Sequence, residues 1–200
     1  MLEPWQPLFD WWFGRGTSAG SIFAEKKLLW FGQRAEQDAE THRLFSNWVD
    51  DALHGELDDW ADVPQGWLAL IILLDQLPRM IHRDTPQAFA GDERALQLVR
   101  DGLSHGVDML LSPIQRVFAY LVLEHAENLA MQEQSVGYFG VLRDIAKSEE
   151  RELFDGFLAV ALRHRDVIAH FGRFPYRNAA LGRASSEAEV KFLSQPGTRF

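Results

Sequence analysis

The stretch Pro64-Gln-Gly-Trp67-Leu-Ala-Leu-Ile-Ile-Leu-Leu74-Asp75 decides the fold class of this chain. Trp67 to Leu74 is an unbroken apolar run, and by length alone it could be a buried strand or part of a buried helix. Composition separates the two. Leu and Ala dominate, Pro64 suits a first helical turn, and no turn signal interrupts the pattern before Pro78. The run is therefore predicted as helix.

Working outward, spacings of three and four recur. Towards the N-terminus, Trp5, Leu8, Phe9, Trp12 and Phe13 predict a short apolar helix. Gly14 to Gly20 reads as a turn, and Ser21 as the cap of a helix reaching about Gly32. Leu44, Phe45, Trp48, Val49 and Leu53 form the stripe of a helix that stops near Gly55. Towards the C-terminus, Thr85-Pro86 reads as an N-cap with a first-turn proline, opening a helix that ends near His105-Gly106. Ser112-Pro113 repeats that signal. The helix it opens carries Ile114, Val117, Phe118 and Tyr120 to Leu123, which leaves almost no polar face, so it must be buried on several sides. Helices over Val136–Ile145 and from about Glu150 to Phe171 follow. Pro175 biases Phe174 away from helix, making Gly172 to Arg183 irregular, and Ser186-x-x-Glu189 is a capping box for a last short helix. The whole predicts an all-α fold, one domain over residues 1–200 built of packed antiparallel helical hairpins, with no dividing linker and no clear fixed-period repeat.

Composition excludes several classes of function. Cysteine is absent, which removes disulfides, thiolate zinc sites and cysteine nucleophiles. The start lacks a basic segment of the signal-peptide kind, and the longest apolar run falls far short of the roughly 20 residues of a membrane span, so a cytoplasmic protein without membrane contact is expected. A net charge of −9 opposes nucleic-acid binding. That charge is uneven: residues 163–200 hold seven Lys/Arg against three Asp/Glu. Either the basic tail docks on its own acidic body, or its arginines feed an anion site.

Three segments place polar groups beside apolar ones. In Asp75-Gln-Leu-Pro78-Arg79, the acid ends the apolar run and lies four residues from Arg79, so the two are expected to pair or share partners. In Glu124-His125-Ala-Glu127-Asn128, with Gln132 beyond, polar groups sit in an otherwise apolar helix and need partners, because burying them unpaired costs about 1–3 kcal/mol each. On a continuous helix Leu121, His125, Asn128 and Gln132 share one face, while Glu127 points elsewhere and cannot chelate an ion with His125. The third segment holds Arg173, Arg177, Asn178 and Arg183 around a Gly/Pro turn, three planar donor forks suited to carboxylate or phosphate. His164 and His170, six apart, do not form a metal pair on a helix. No phosphate-binding loop, nucleophile elbow or zincin signature is present, and neither metal nor cofactor is expected.

In Asp10-Trp-Trp-Phe-Gly14, Leu68 to Arg83 with Thr85-Pro86 and Phe89, His125-Ala-Glu127 with Gln132, and above all Phe171-Gly-Arg-Phe-Pro-Tyr-Arg-Asn178 with Leu181-Gly-Arg183, the chain resembles the bacterial family catalogued as domain of unknown function 924 over nearly its full length. The resemblance implies an all-α fold similar to tetratricopeptide-repeat hairpins and carries no activity. The family usually has Asn at Met80, Ser at Ala126 and His at Tyr176, three polar groups that are replaced here.

Three functions remain open. The first is binding of a small anionic ligand or an acidic peptide in an Arg-lined pocket, with Arg79, Gln132, Arg173, Arg177, Asn178 and Arg183 as ligand-binding residues. The second is a hydrolytic enzyme with Asp75, His125 or Glu127 as acid or base. The third is a helical scaffold for protein partners. Asp75, His125, Glu127, Arg173 and Arg177 are expected to line one polar region; a His125 more than roughly 12 Å from both Asp75 and Arg173 would put direct or single-water contact out of reach.

Overall fold

The computed structural model describes residues 3–198. Among them every regular element is helical. In chain order these are α1 (Gln6–Phe13), α2 (Ala19–Phe31), α3 (Ala35–His54), α4 (Pro64–Ile71), α5 (Leu77–Ile81), α6 (Asp92–Ser104), α7 (Pro113–His125), α8 (Leu129–Ile145), α9 (Arg151–Phe171) and α10 (Glu187–Leu193), with short 3₁₀ turns between several of them. No described helix is long and apolar enough to cross a membrane.

The apolar run that decides the class is helical, with an unforeseen detail. Residues Ile72–Gln76 form a π turn between α4 and α5, in which the Leu77 amide reaches the Ile72 carbonyl. Pro78 supplies the reason. It has no N–H for the Leu74 carbonyl, so the helix must widen or break there. Widening lets α5 continue through Pro78. Gly91 then packs on the freed oxygen so closely that a Cβ would lie 2.1 Å from it.

Three local expectations need correction. Ser18, not Ser21, caps α2: Ser18 is extended, and the two serines exchange backbone-to-hydroxyl bonds of 3.2 and 3.1 Å, which puts Ser21 at the third helical position. Thr85 caps no helix. Its hydroxyl donates back to the His82 carbonyl (2.7 Å), and Pro86–Phe89 is a 3₁₀ turn, so α6 starts only at Asp92. Glu124 to Gln132 is not one helix. Ala126 is extended (φ −72°, ψ 131°), and the Asn128 side chain accepts from the Met131 amide (3.2 Å) to cap α8.

One core runs through the chain from Trp5 to Ala161, and α7 is its axis, as its missing polar face requires. Phe118 lies within 4.7 Å of Trp30, 5.3 Å of Trp12 and 5.5 Å of Phe13 between ring centroids, tying α1 and α2 to α7. The α8 and α9 helices pack on each other along their length and on the other side of α7. A small satellite core of Val167, Ile168 and Phe174 seats the C-terminal loop.

Close packing of α4 on α6 depends on a missing side chain. A Cβ on Gly102 would lie 2.5 Å from the Trp67 ring, whereas one on Gly140, inside α8, would meet nothing within 4 Å. Helix propensity alone favours Ala over Gly by about 1 kcal/mol at both. Gly140→Ala should raise the melting temperature by roughly 2–4 °C. Gly102→Ala should lower it, because overpacking costs about 1–3 kcal/mol. Thermal unfolding by circular dichroism measures both; a rise for Gly102→Ala would contradict the packing.

Candidate functional site

Asp75 is fully buried at the π turn, where an isolated carboxylate would be costly. Three neighbours satisfy it. Arg79, one turn on, lies 3.2 Å from Oδ1 and also caps the Asp75 carbonyl through Nη1. Gln76 Nε2 donates to Oδ2 (2.6 Å), and His125 Nδ1 lies 2.8 and 2.9 Å from the two carboxylate oxygens. Burial pushes the Asp75 carboxyl up, but Arg79, His125 and these hydrogen bonds together hold it well below the usual carboxylate range.

An ionised Asp75 can only accept, so His125 Nδ1 carries the proton. Burial also pushes His125 below the ordinary histidine value against the pull of Asp75, with Arg79 and Arg177 adding to the depression. The neutral ring therefore presents Nε2 as an acceptor, and this atom makes no hydrogen bond among the described residues. His125 closes α7, and the break at Ala126 leaves its ring on the wall of a cavity of about 310 Å³.

The cavity lies between α2, the start of α3, α5, α7 and α9. Trp30, Phe31, Met80, Leu121 and Val160 give it an apolar side; Met80, where the family resemblance places Asn, adds to that side. Gln33, held at φ 47° where non-glycine residues are strained, stands at its edge. The polar side carries Arg79, Arg83 and Arg163 against Asp38 and Glu124. Arg83 forms a two-pronged bridge to Asp38, 2.8 Å on each prong.

Glu124 differs from Asp75 in every respect but burial. It is 1% exposed, one oxygen lies 3.1 Å from His164 Nδ1, and Oε2 has no hydrogen-bond partner among the described residues. Burial, then the negative charge of Asp75, pushes Glu124 well above the ordinary carboxylate value, and Arg163 offsets only part of this. His164 is pushed down to about 3, chiefly by burial, although its bond to the Val160 carbonyl (3.0 Å) acts the other way. The Glu124–His164 contact is thus between two groups whose charged forms burial disfavours, a carboxyl and an imidazole. Arg79, Arg83 and Arg163 share the cavity wall with Asp38 and Glu124, and Asp75 and Asp92 stand behind Arg79.

The expected convergence is partial. Asp75, Arg79 and His125 come together at the cavity. Arg177 joins from behind: its Nη1 lies 3.2 Å from Asp92, which also binds Arg79 (2.9 Å), and it stacks on Phe89 and Phe174. Glu127 points away from His125, bound by Arg183 (2.6 and 2.8 Å) and by the Phe174 amide (2.8 Å). Arg173 turns to Glu189 (2.7 and 2.8 Å). Asn178 braces the loop through Ser185 and Arg183, and Gln132 donates to the Glu124 and Ala126 carbonyls at the end of α7 (2.5 and 2.8 Å). Of the six residues read as ligand-binding, Arg79 alone lines the cavity; the other five are occupied by the protein's own groups, and Arg177 and Arg183 pair with acids outside the basic tail, Asp92 and Glu127.

The sequence reading missed Asp92 and the pairing of Glu124 with His164. Nothing marks Asp92 beyond being an acid in a first helical turn. Glu124 carried a signal, a carboxyl inside an apolar helix. His164 finds its partner on another helix, which no spacing within α9 reveals. Among the described residues no three His, Asp or Glu side chains form a group that could hold a metal ion.

The family model described as a bacterial protein of unknown function, DUF924, matches residues 8–197. Among solved structures, the protein of unknown function ATU0120 from Agrobacterium tumefaciens is similar at 32% identity, with a TM-score of 0.72, over 88% of this chain and 96% of that one. No curated protein matches.

The raised Glu124 makes a signed prediction. Its neutral form is favoured in the folded state, so its contribution is fully present below the unfolded value and lost as pH rises through the folded one. Glu124→Gln keeps a neutral polar group of the same shape. Its urea midpoint relative to the unsubstituted protein should therefore increase as pH rises from 4 to 8. A difference that is flat across that range would show Glu124 to be ionised in the folded state.

Proposed function

The chain belongs to the DUF924 family, whose description assigns no function, and from the chemistry of its own site we propose that it binds a small anionic molecule in the cavity and acts on it with His125 as general base. The observation that carries this is the buried, ionised Asp75 holding His125 Nδ1 while the residue lines the cavity and Nε2 is left as the ring's acceptor. A pocket lined by titratable groups pushed in opposite directions is what acid–base chemistry uses.

In this proposal the guanidiniums of Arg79, Arg83 and Arg163 attract the anionic group. The described wall holds no Ser, Thr or Cys, so the nucleophile is water. For an ester, His125 Nε2 takes a proton from water as its oxygen adds to the acyl carbon. The neutral Glu124 gives its proton to the departing alkoxide, and transfer of the His125 proton back to Glu124 restores both groups. The products are an acid and an alcohol. The hairpin stack, which the resemblance likens to tetratricopeptide repeats, serves as scaffolding for an enclosed site rather than as a surface for an acidic peptide. A cytoplasmic setting belongs to the same proposal.

Thermal shift with acetate, succinate and inorganic phosphate tests binding, and hydrolysis of 4-nitrophenyl esters of the same acids tests turnover. We expect anion-dependent stabilisation, and a loss of roughly 100-fold or more in rate for His125→Gln. The depressed His125 places the acidic limb of the rate profile below pH 6.5, since the base form is lost only as pH falls through the lowered value. A rate unchanged in His125→Gln would overturn general-base action by this residue.

A further inference from the structure

A second, almost wholly apolar cleft of about 290 Å³ opens beside the polar cavity. The two share Phe31, Leu121, Glu124 and Val160, while Phe23, Gly156 and Phe157 close the far side of the apolar one. Glu124 is its one polar lining residue and stands at the junction. Phe31 is 47% exposed on the shared wall, a large aromatic surface left facing water.

Gly156 leaves the far end of the cleft open. It lies inside α9, where glycine costs roughly 0.5–1 kcal/mol relative to alanine. No close approach demands it, because a Cβ there would meet nothing within 4 Å. Its effect is to keep open space beside Phe157.

We infer that the ligand of the proposed site is an amphipathic carboxylate, a small anion with a straight hydrocarbon tail that lies in the cleft between α2, α7 and α9. This rests on the reading above and extends it to a class of ligand. The four residues shared by the two chambers give the layout: head beside Arg83 and His125, tail past Phe31 and Glu124 towards Gly156. Charge selects a single negative charge. Arg79 and Arg83 already bond Asp75, Asp92 and Asp38, so little net positive charge remains at the head.

Titration calorimetry with butyrate, hexanoate, octanoate and decanoate, kept below micelle-forming concentrations, tests it. Affinity should climb by about threefold to fourfold per added methylene, the value for burying apolar surface. Gly156→Leu should flatten the series, bringing octanoate and decanoate down to the butyrate value, and its melting curve should remain cooperative. Arg83→Ala should weaken every length alike. A flat series in the unsubstituted protein, or a climb that Gly156→Leu leaves intact, would overturn the tail cleft. Affinities left unchanged at every length by both Arg83→Ala and His125→Gln would instead overturn the head-group reading. No binding by any member would overturn both. A concentration-dependent dimer abolished by Gly156→Leu, with no dependence on chain length, would assign the cleft to a second copy of the chain.

Discussion

A single buried charge organises this molecule. Asp75 ends a run of apolar side chains and lies where water does not reach it. Such a carboxylate is tolerated only with partners that match its charge and its lone pairs. Arg79 supplies most of the charge, and the requirement then passes outward. Arg79 needs Asp92, Asp92 takes Arg177 as well, and Arg177 is held flat against Phe89 and Phe174. One acid thereby ties α5, the start of α6 and the C-terminal loop into one network, with α7 joined through His125.

One turn of α7 carries the opposite solution. Glu124 is as buried as Asp75, and burial together with the charge of Asp75 pushes its carboxyl well above the ordinary value, with Arg163 offsetting only part of this. Asp75 itself contributes to this, because two like charges at such depth disfavour each other. Two carboxyls close in space are thus pushed in opposite directions, and burial disfavours the charged form of the histidine beside each. The site is a consequence of uneven compensation: a full complement of donors on one acid and a lone, neutral contact on the other.

Much of the fold could be read from sequence because its signals are local. The blank polar face of α7 predicts burial without knowledge of what covers it, and Leu and Ala settle the class of the Trp67–Leu74 run. The errors lie where a competing local bond wins. Thr85 spends its hydroxyl on His82, and the extended Ala126 splits what reads as one helical face. The π turn was out of reach for another reason, since Pro78 forbids one hydrogen bond but does not say whether the helix will widen or stop.

The site was legible in part. Asp75, Arg79 and His125 stood out as polar groups beside apolar stretches, and that physical signal found them without any partner being known. Arg173, Arg177 and Arg183 carry the same signal, because a guanidinium in sequence looks alike whether it awaits a ligand or an internal acid. Their partners, Glu189, Asp92 and Glu127, lie 16, 85 and 56 residues away. The cavity wall from α2, with Trp30 and Phe31, has no signature apart from ordinary core aromatics.

The protonation of His125 tests this account most directly. Long-range nitrogen–proton correlation spectra of the imidazole at pH 7 report which ring nitrogen bears the proton. The account predicts a neutral ring protonated at Nδ1, with Nε2 bare, and loss of that fixed tautomer in Asp75→Ala. A ring protonated at Nε2, or a doubly protonated imidazolium at pH 7, would contradict it.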